Sequence, residues 1–253
     1  MPVTVGLGAA SPDAGILSTV RAVGREVDLI LFSCPGTAGS FGDAVTVVEA
    51  EEPEVALIEA LYAGRIDAAV RGTLPASSTL KALKTATGLD HLERIALLET
   101  ADGHLFLLAP VGVDEGWTVE EKVRLVGHGR NIARSFGLAG GVAILSGGRL
   151  GDLGRHPVVD RTMADAELVA RLTGAEHTEI LIEEAARRYG MVVAPDGISG
   201  NLIFRTLTFL GAGAGHGAPV VNIDKIFVDT SRASANYTNA VMLAKSLAES
   251  KKT

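Results

Sequence analysis

What most constrains this chain is residues 191–244, MVVAPDGISGNLIFRTLTFLGAGAGHGAPVVNIDKIFVDTSRASANYTNAVMLA. Two apolar runs, 191–194 and 220–228, read as buried strands, the second interrupted by Asp224 and Lys225. Each stops at a turn, 195–201 in the first case and 229–232 in the second, and each turn opens onto helical periodicity. A glycine-rich loop, 211–217, lies between them. Buried strands alternating with helices belong to an α/β arrangement with a parallel sheet. Helices that begin at strand ends present free backbone N–H groups, for which an anion is the natural guest.

Composition agrees with that class. Hydrophobic residues make up 47% of the chain and aromatics only 4%, so Val, Leu, Ile and Ala must fill the core. With 253 residues the chain can bury one large core or two smaller ones. The formal net charge of -7, with no basic tract, argues against a nucleic-acid partner. The N-terminal MPVTVGLGAAS lacks a basic leader region and no apolar run is long enough to span a bilayer, so the expectation is a cytoplasmic protein without membrane attachment. Cys34 is the only cysteine, which rules out an internal disulfide and a thiolate metal cluster. At the end of the apolar run 29–32 it reads as a buried bystander.

The N-terminal part predicts strand 3–7, helix 14–23 and strand 27–32, a βαβ opening. Gly6, Gly8 and Ser11 half-match a dinucleotide fingerprint, but the third glycine is missing and no acid ends the second strand, so a tight packing turn is preferred. Residues 34–43 read as a loop, 45–48 as a strand, 53–63 as a helix and 68–70 as a strand running into Arg71. Arg71 at a strand's carboxyl end, facing Thr73, Ser77, Ser78 and a helix start, can grip a phosphate or carboxylate. The alternative is a solvated Arg71 beside a helix capped by Ser77 or Ser78.

Residues 94–99 and 104–110 predict adjacent strands joined by Ala101, Asp102 and Gly103. Thr118 and Glu121 form a capping-box pattern at the start of a helix running to about 136, with Trp117 as a packing residue before the cap. Segment 111–117 is the expected boundary between two subdomains. Strand 141–145 then runs into Ser146, Gly147, Gly148 and Arg149, a loop continuing through Arg155 and His156. The loop lacks the lysine of an ATP-binding phosphate loop. Its glycines and arginines suit either a ligand or a mobile lid. Asp152, His156 and Asp160 read equally as metal ligands or as solvated loop residues, and no metal is assigned. Helices are expected over 160–172, 178–189 and 236–249.

Three blocks carry a resemblance: RGTLPASSTLKAL (71–83), VAILSGGRLGDLG (142–154) and residues 195–244, with Pro195, Asp196, Gly200, Asn201, Gly217, Pro219, Asp229, Ser231 and Arg232 in register. They look like the phosphate acetyl/butyryl transferase superfamily. Runs 69–80, 146–155, 200–217 and 228–237 resemble more closely its methanogenesis marker protein 4 branch, the methyltransferase-related Mtx subunit X group. The resemblance implies an isocitrate/isopropylmalate dehydrogenase-like fold, two α/β subdomains flanking a cleft. It describes residues 1–253 as a single phosphate acyltransferase-like domain, commonly a homodimer, in an archaeal methanogen.

By the same resemblance Ser231 and Arg232 hold phosphate and stabilise negative charge, while Ser199 and Asn201 line the cleft. With Arg71, Ser146, Gly148 and Arg149 these form the candidate anion-binding set. The family's catalytic aspartate falls on Thr238, which cannot act as a base near neutral pH, and its glycine after the arginine falls on Ala233. No catalytic residue and no cofactor are therefore assigned. The readings carried forward are a transferase-like enzyme acting on a phosphorylated or coenzyme-like small molecule, a non-catalytic binding or assembly protein, and a methyltransferase subunit with a methanogenesis enzyme as partner.

Overall fold

The computed structural model describes residues 2–24, 26–42, 45–138, 141–232 and 234–252. The chain divides into two compact units, Met1–Leu92 with Gly217–Thr253, and Glu93–His216. The boundary expected near 111–117 therefore falls inside the second unit. That segment is bonded into its surroundings there: Glu115 takes Arg94, Gly112 N and Arg94 N, and its carbonyl accepts from Gly197 N.

Unit 1 opens with β1 (Thr4–Ala9), α1 (Ala14–Val23), β2 (Asp28–Ser33), β3 (Thr46–Glu49), α2 (Pro53–Tyr62), β4 (Ala68–Val70) and α3 (Ala76–Thr87). The β1 strand pairs in parallel with β2 on one side and β4 on the other, and β2 pairs in parallel with β3. Near-continuous burial along β1 and β4, rather than alternation, follows from helices covering both faces of such a sheet. The β1 glycines serve packing: a Cβ on Gly6 would strike Ile66 and Leu57, and one on Gly8 would strike Leu74. This supports the packing turn over the nucleotide fingerprint. Cys34 is half-buried rather than fully enclosed.

Unit 2 contains β5 (Ala96–Glu99), β6 (Leu105–Ala109), α4 (Val119–Ser135), β7 (Val142–Ile144), α5 (Pro157–Thr173), β8 (Glu176–His177), α6 (Ile182–Arg188), β9 (Met191–Val193) and α7 (Gly197–Phe209). The β5–β6 hairpin is antiparallel, and β6, β9, β7 and β8 follow in order with parallel pairing. Thr118 caps α4 through the reciprocal capping box with Glu121. Trp117 departs from expectation: it is 51% exposed, with its indole N–H donated to Val113 O. The helix expected over 178–189 is shortened to α6, because 176–177 are drawn into the β7 ladder and Glu179 turns the chain at φ 58°.

The chain re-enters unit 1 at Gly217, within β10 (Ala214–Pro219), and continues with β11 (Ile226–Asp229) and α8 (Thr238–Lys252). Most of the glycine-rich segment is thus strand rather than loop, Ala218 and Pro219 pairing antiparallel with Asp229 and Val228. The expected long strand 220–228 breaks at 220–225 and resumes as β11, which pairs in parallel with β4. A core of Phe32, Leu57, Leu61, Ile66, Leu74 and Phe227 sits beneath. Each such side chain contributes about 1.5–3 kcal/mol on burial. Among the described residues no helix is long and apolar enough to cross a membrane.

Candidate functional site

In unit 1 the candidate residues lie where β1, β4 and β11 end. Arg71 N donates to Val228 O (3.0 Å), carrying the β4–β11 ladder one residue further. The Arg71 side chain is only 4% exposed. Its Nε donates to Asp229 Oδ1 (2.5 Å), its Nη1 to Leu74 O (2.7 Å) and its Nη2 to Thr230 O. Asp229 Oδ1 also accepts from Thr230 N (2.8 Å), and Thr230 Oγ1 donates to Gly72 O (3.0 Å). Gly72 stands at φ 59°, where an L side chain is strained and a Cβ would strike Gly8 O. Thr73 completes the tie: its N donates to Gly8 O, and its hydroxyl accepts from Ala10 N (2.8 Å).

Arg71 is therefore not the solvated residue of the alternative reading. Nor does Ser77 or Ser78 cap α3: the N-cap is Pro75, without a side-chain hydrogen bond, and both serines stand in the first turn. Three faces of the guanidinium are committed to protein acceptors, so its direct effect is to fix the loop that carries Ser231 and Arg232. Ser231 is half-buried and Arg232 is exposed. Ala233 lies outside the described residues.

Tyr237 is buried, with its N–H donated to Thr19 Oγ1 (2.8 Å). Burial raises its phenol above the usual range; Asp13 adds to the rise, while Arg71 and Arg232 oppose it. Asp13, Arg71 and Arg232 thus share one electrostatic neighbourhood around Tyr237. The same segment packs on α1, since a Cβ on Gly15 would meet Ala235 O at 2.9 Å. Thr238 is the first residue of α8, and its N–H donates to Asn236 Oδ1 (3.2 Å). It brings no carboxylate to that position.

In unit 2 the candidates lie after β7 and β9. Asp196 caps α7 by accepting Ser199 N (2.8 Å), so Ser199 and Asn201 stand in its first turns rather than in a preceding loop. Asn201 Nδ2 donates to Val111 O (2.9 Å), which commits its amide to the fold. Gly197 and Gly200 bring the helix against backbone, because a Cβ on either would strike Gly112 O or Pro110 O. Lys122 is buried near this helix start, its Nζ 3.8 Å from Asp165 Oδ2. Burial lowers its pKa, against the opposing pull of Asp165 and Asp196.

Ser146 is 1% exposed; its Oγ donates to Gly148 O (2.8 Å) and lies 2.8 Å from His177 Nε2. His177 Nδ1 lies 2.8 Å from Glu167 Oε1. Gly147 N donates to Thr162 Oγ1 (2.8 Å), and Glu179 holds the loop twice, through Ser146 N to its carbonyl and Leu150 N to its carboxylate. Gly148 is buried against Val159, whereas Arg149 is exposed. Of the expected metal candidates, Asp152 accepts from Arg149 N and Arg155, Asp160 from Gly154 N, and His156 from Val158 N. Among the described residues no group of His, Cys, Asp and Glu could hold a metal ion.

Sequence reasoning missed His177, Glu167 and Glu179. His177 on β8 reaches Ser146, Glu167 on α5 reaches His177 and Glu179 in the following turn reaches Leu150, and no periodic signal connects those positions. The one usable cue was Glu176–His177 just beyond Gly174, the C-cap of α5, with Ala175 between.

No protein-family profile matches the chain. It is 50% identical over 211 residues to a Methanosarcina barkeri protein, spanning 81% of this chain and 78% of that one. A Methanosarcina acetivorans protein is 52% identical over 211 residues, 81% of this chain and 75% of that one. Both are called mtx subunit X, a name that provisionally classes them as methyltransferases. A Methanopyrus kandleri protein, named as an uncharacterized methyltransferase, is 43% identical over 215 residues, 81% of this chain and 84% of that one.

Among solved structures, a branched-chain phosphotransacylase from Enterococcus faecalis matches with a TM-score of 0.77 at 18% identity, over 97% of this chain and 99% of that one. A phosphotransacetylase from Streptococcus pyogenes matches with a TM-score of 0.71 at 15% identity, over 99% and 94%. At such identities these likenesses carry the fold, a mixed α/β fold shared with phosphotransacylases, and not the reaction. Sequence identity of this extent to the Methanosarcina proteins places the chain by descent: it belongs to the mtx subunit X family.

Proposed function

We propose that this chain binds a phosphorylated or coenzyme-like small molecule and serves as a transferase-like component of methanogen metabolism. The observation that carries the reading is the knot of strand ends in unit 1. Arg71, Asp229, Thr230 and Gly72 fix the exit of β11 so that Ser231 and Arg232 follow it at the carboxyl edge of parallel strands. That edge is where open α/β sheets take ligands. Arg232 supplies an exposed fork of donors suited to phosphate. Ser146, Gly148, Arg149, Ser199 and Asn201, after β7 and β9, belong to this reading as a separate group of candidate contacts within unit 2, and the fold we propose is isocitrate/isopropylmalate dehydrogenase-like.

The methyltransferase names of the relatives support a subunit in methyl transfer, acting with a methanogenesis enzyme. Thr238 favours the alternative of a binding or assembly protein, because proton abstraction from a thiol needs a base that a hydroxyl does not supply. A homodimer and a cytoplasmic setting complete the reading. The outward side of α7 supports the dimer, since Ile198, Leu202 and Phe209, with Leu210 just past the helix end, are all exposed.

Calorimetric titration with inorganic phosphate, acetyl phosphate, coenzyme A and S-adenosylmethionine tests the proposal. A phosphorylated compound should bind the wild type, and Arg232→Ala should weaken it by about tenfold or more, the loss of one charge-assisted contact. Unchanged binding in that variant would overturn the site. Steady acyl phosphate formation from acyl-coenzyme A would overturn the non-catalytic alternative.

A further inference from the structure

The Ser146–His177–Glu167 chain poses a problem of proton supply. Ser146 Oγ has one proton and donates it to Gly148 O (2.8 Å), an atom that can only accept. His177 Nε2, 2.8 Å from that oxygen, must then donate to it. On the other side of the ring, Nδ1 lies 2.8 Å from Glu167 Oε1, and an ionised carboxylate also only accepts. A neutral ring with its proton on Nε2 would set two bare acceptors against each other at Nδ1. A neutral ring with its proton on Nδ1 would draw the Ser146 proton away from Gly148 O. A ring carrying both protons satisfies every contact, and the two on its nitrogens are charge-assisted.

We propose that His177 acts as a doubly protonated positioning residue, its charge fastening the Ser146–Gly148 turn so that protonation controls the order of the glycine loop after β7. The ring is well placed for this, its side chain being 5% exposed while Glu167 is 63% exposed and reachable by solvent protons. The carboxylate on the ring is Glu167 from α5; Glu176 precedes His177 on β8, and the Glu179 carboxylate in the following turn accepts from Leu150 N. Arg171, one turn past Glu167 on α5, is an exposed cation. The sign follows directly: the fastening is present while the ring holds both protons and is lost as pH rises through its titration.

The device has a consequence for the proposed function, and on that reading alone it rests: a phosphorylated ligand held partly by this loop binds more weakly as the ring deprotonates. Two measurements stand apart from any ligand. Long-range proton–nitrogen NMR, with His177→Gln assigning the signal, should show both ring nitrogens protonated on the acid side of its titration. Amide exchange at Ser146, Gly147 and Leu150 should then accelerate across that same titration, beyond the intrinsic rise with pH, by about tenfold or more for loss of one charge-assisted hydrogen bond.

Glu167→Gln provides the decisive control. Its amide can donate to Nδ1, leaving a neutral ring with the proton on Nε2, so Ser146 stays fastened without charge. The proposal expects loop exchange in this variant to remain slow and to lose its excess dependence on pH. A ring whose Nε2 carries no proton in the folded protein, or loop exchange indifferent to its titration, would overturn it. If Glu167→Gln instead loosens the loop at every pH, the carboxylate itself is the fastening and the proposal fails. Failure of phosphate binding with these results intact would sink only the proposed function.

Discussion

The loops after β4 and β11 and the loop after β7 are both built at the carboxyl ends of parallel strands, yet they are held in opposite ways. The first pair is fixed by a buried full charge, with Arg71 at 4% exposure spanning Asp229, Leu74 O and Thr230 O. The second is fixed by hydroxyls and one ring, through Ser146, Thr162 and His177, with Glu179 bracing from outside. A buried ion pair tolerates no loss of a partner, whereas a hydroxyl network can be relaxed by water or by a change of proton. The comparison also separates two arginines that look alike in sequence. Arg71 is scaffold, and Arg232, just past the same knot, is exposed.

Arg71→Met tests the contrast most severely. It takes the guanidinium away from the buried Asp229 carboxylate, to which Thr230 N also donates, and should cost about 3–5 kcal/mol in denaturant unfolding. Ser146→Ala, which removes one neutral hydrogen bond to Gly148 O and one charge-assisted bond from His177, should cost about 1–3 kcal/mol. If the two variants unfold at the same denaturant concentration, the distinction between charged scaffold and relaxable loop is lost.

The next largest effect lies in the glycines. Gly72→Ala meets both a left-handed backbone and Gly8 O, and should cost about 2–3 kcal/mol. Gly147 has an ordinary φ, and an added Cβ there would find Thr162 Oγ1 at 3.0 Å with little else nearby, so Gly147→Ala should cost under about 1 kcal/mol. Thermal unfolding of both variants reads the difference. A larger shift at Gly147 would mean that the loop after β7 is the tighter of the two.

Much of this was legible in the sequence, for identifiable reasons. The helix over 14–23 and the Thr118 capping box were found because helical periodicity and capping chemistry are local. The β10 strand was read as a loop because Gly and Ala carry no alternating pattern, and its pairing with β11 is made by backbone alone. The position of Arg71 was legible, but not its burial, since its acceptors at 229 and 230 lie far along the chain. His177 stayed hidden for the same reason, 31 residues from the serine it touches.

A smaller effect separates the units by pH. Burial holds the Glu115 carboxyl above the usual range even though Arg94 and Gly112 N oppose it. The folded state then binds more protons than the unfolded state between the ordinary carboxylate pKa and the raised one. Stability must therefore fall as pH rises through that window, with a slope approaching about 1.4 kcal/mol per pH unit for one full proton. Glu115→Gln should flatten that limb in urea titrations run across weak acid. A limb that persists unchanged would assign the slope to another group.

Arg232→Ala should show the smallest stability change, within about 0.5 kcal/mol, because the residue is exposed and the knot that positions it does not include its side chain. That near-silence is what gives the variant its value. Arg71→Met would also abolish ligand binding, but by loosening the exit of β11, and would do so together with a large loss of stability. A ligand defect in Arg232→Ala with an unchanged melting temperature can only be a lost contact. If Arg232→Ala melts as early as Arg71→Met, Arg232 belongs to the scaffold as well, and the anion must be sought at Arg149 and the neutral donors after β7 and β9.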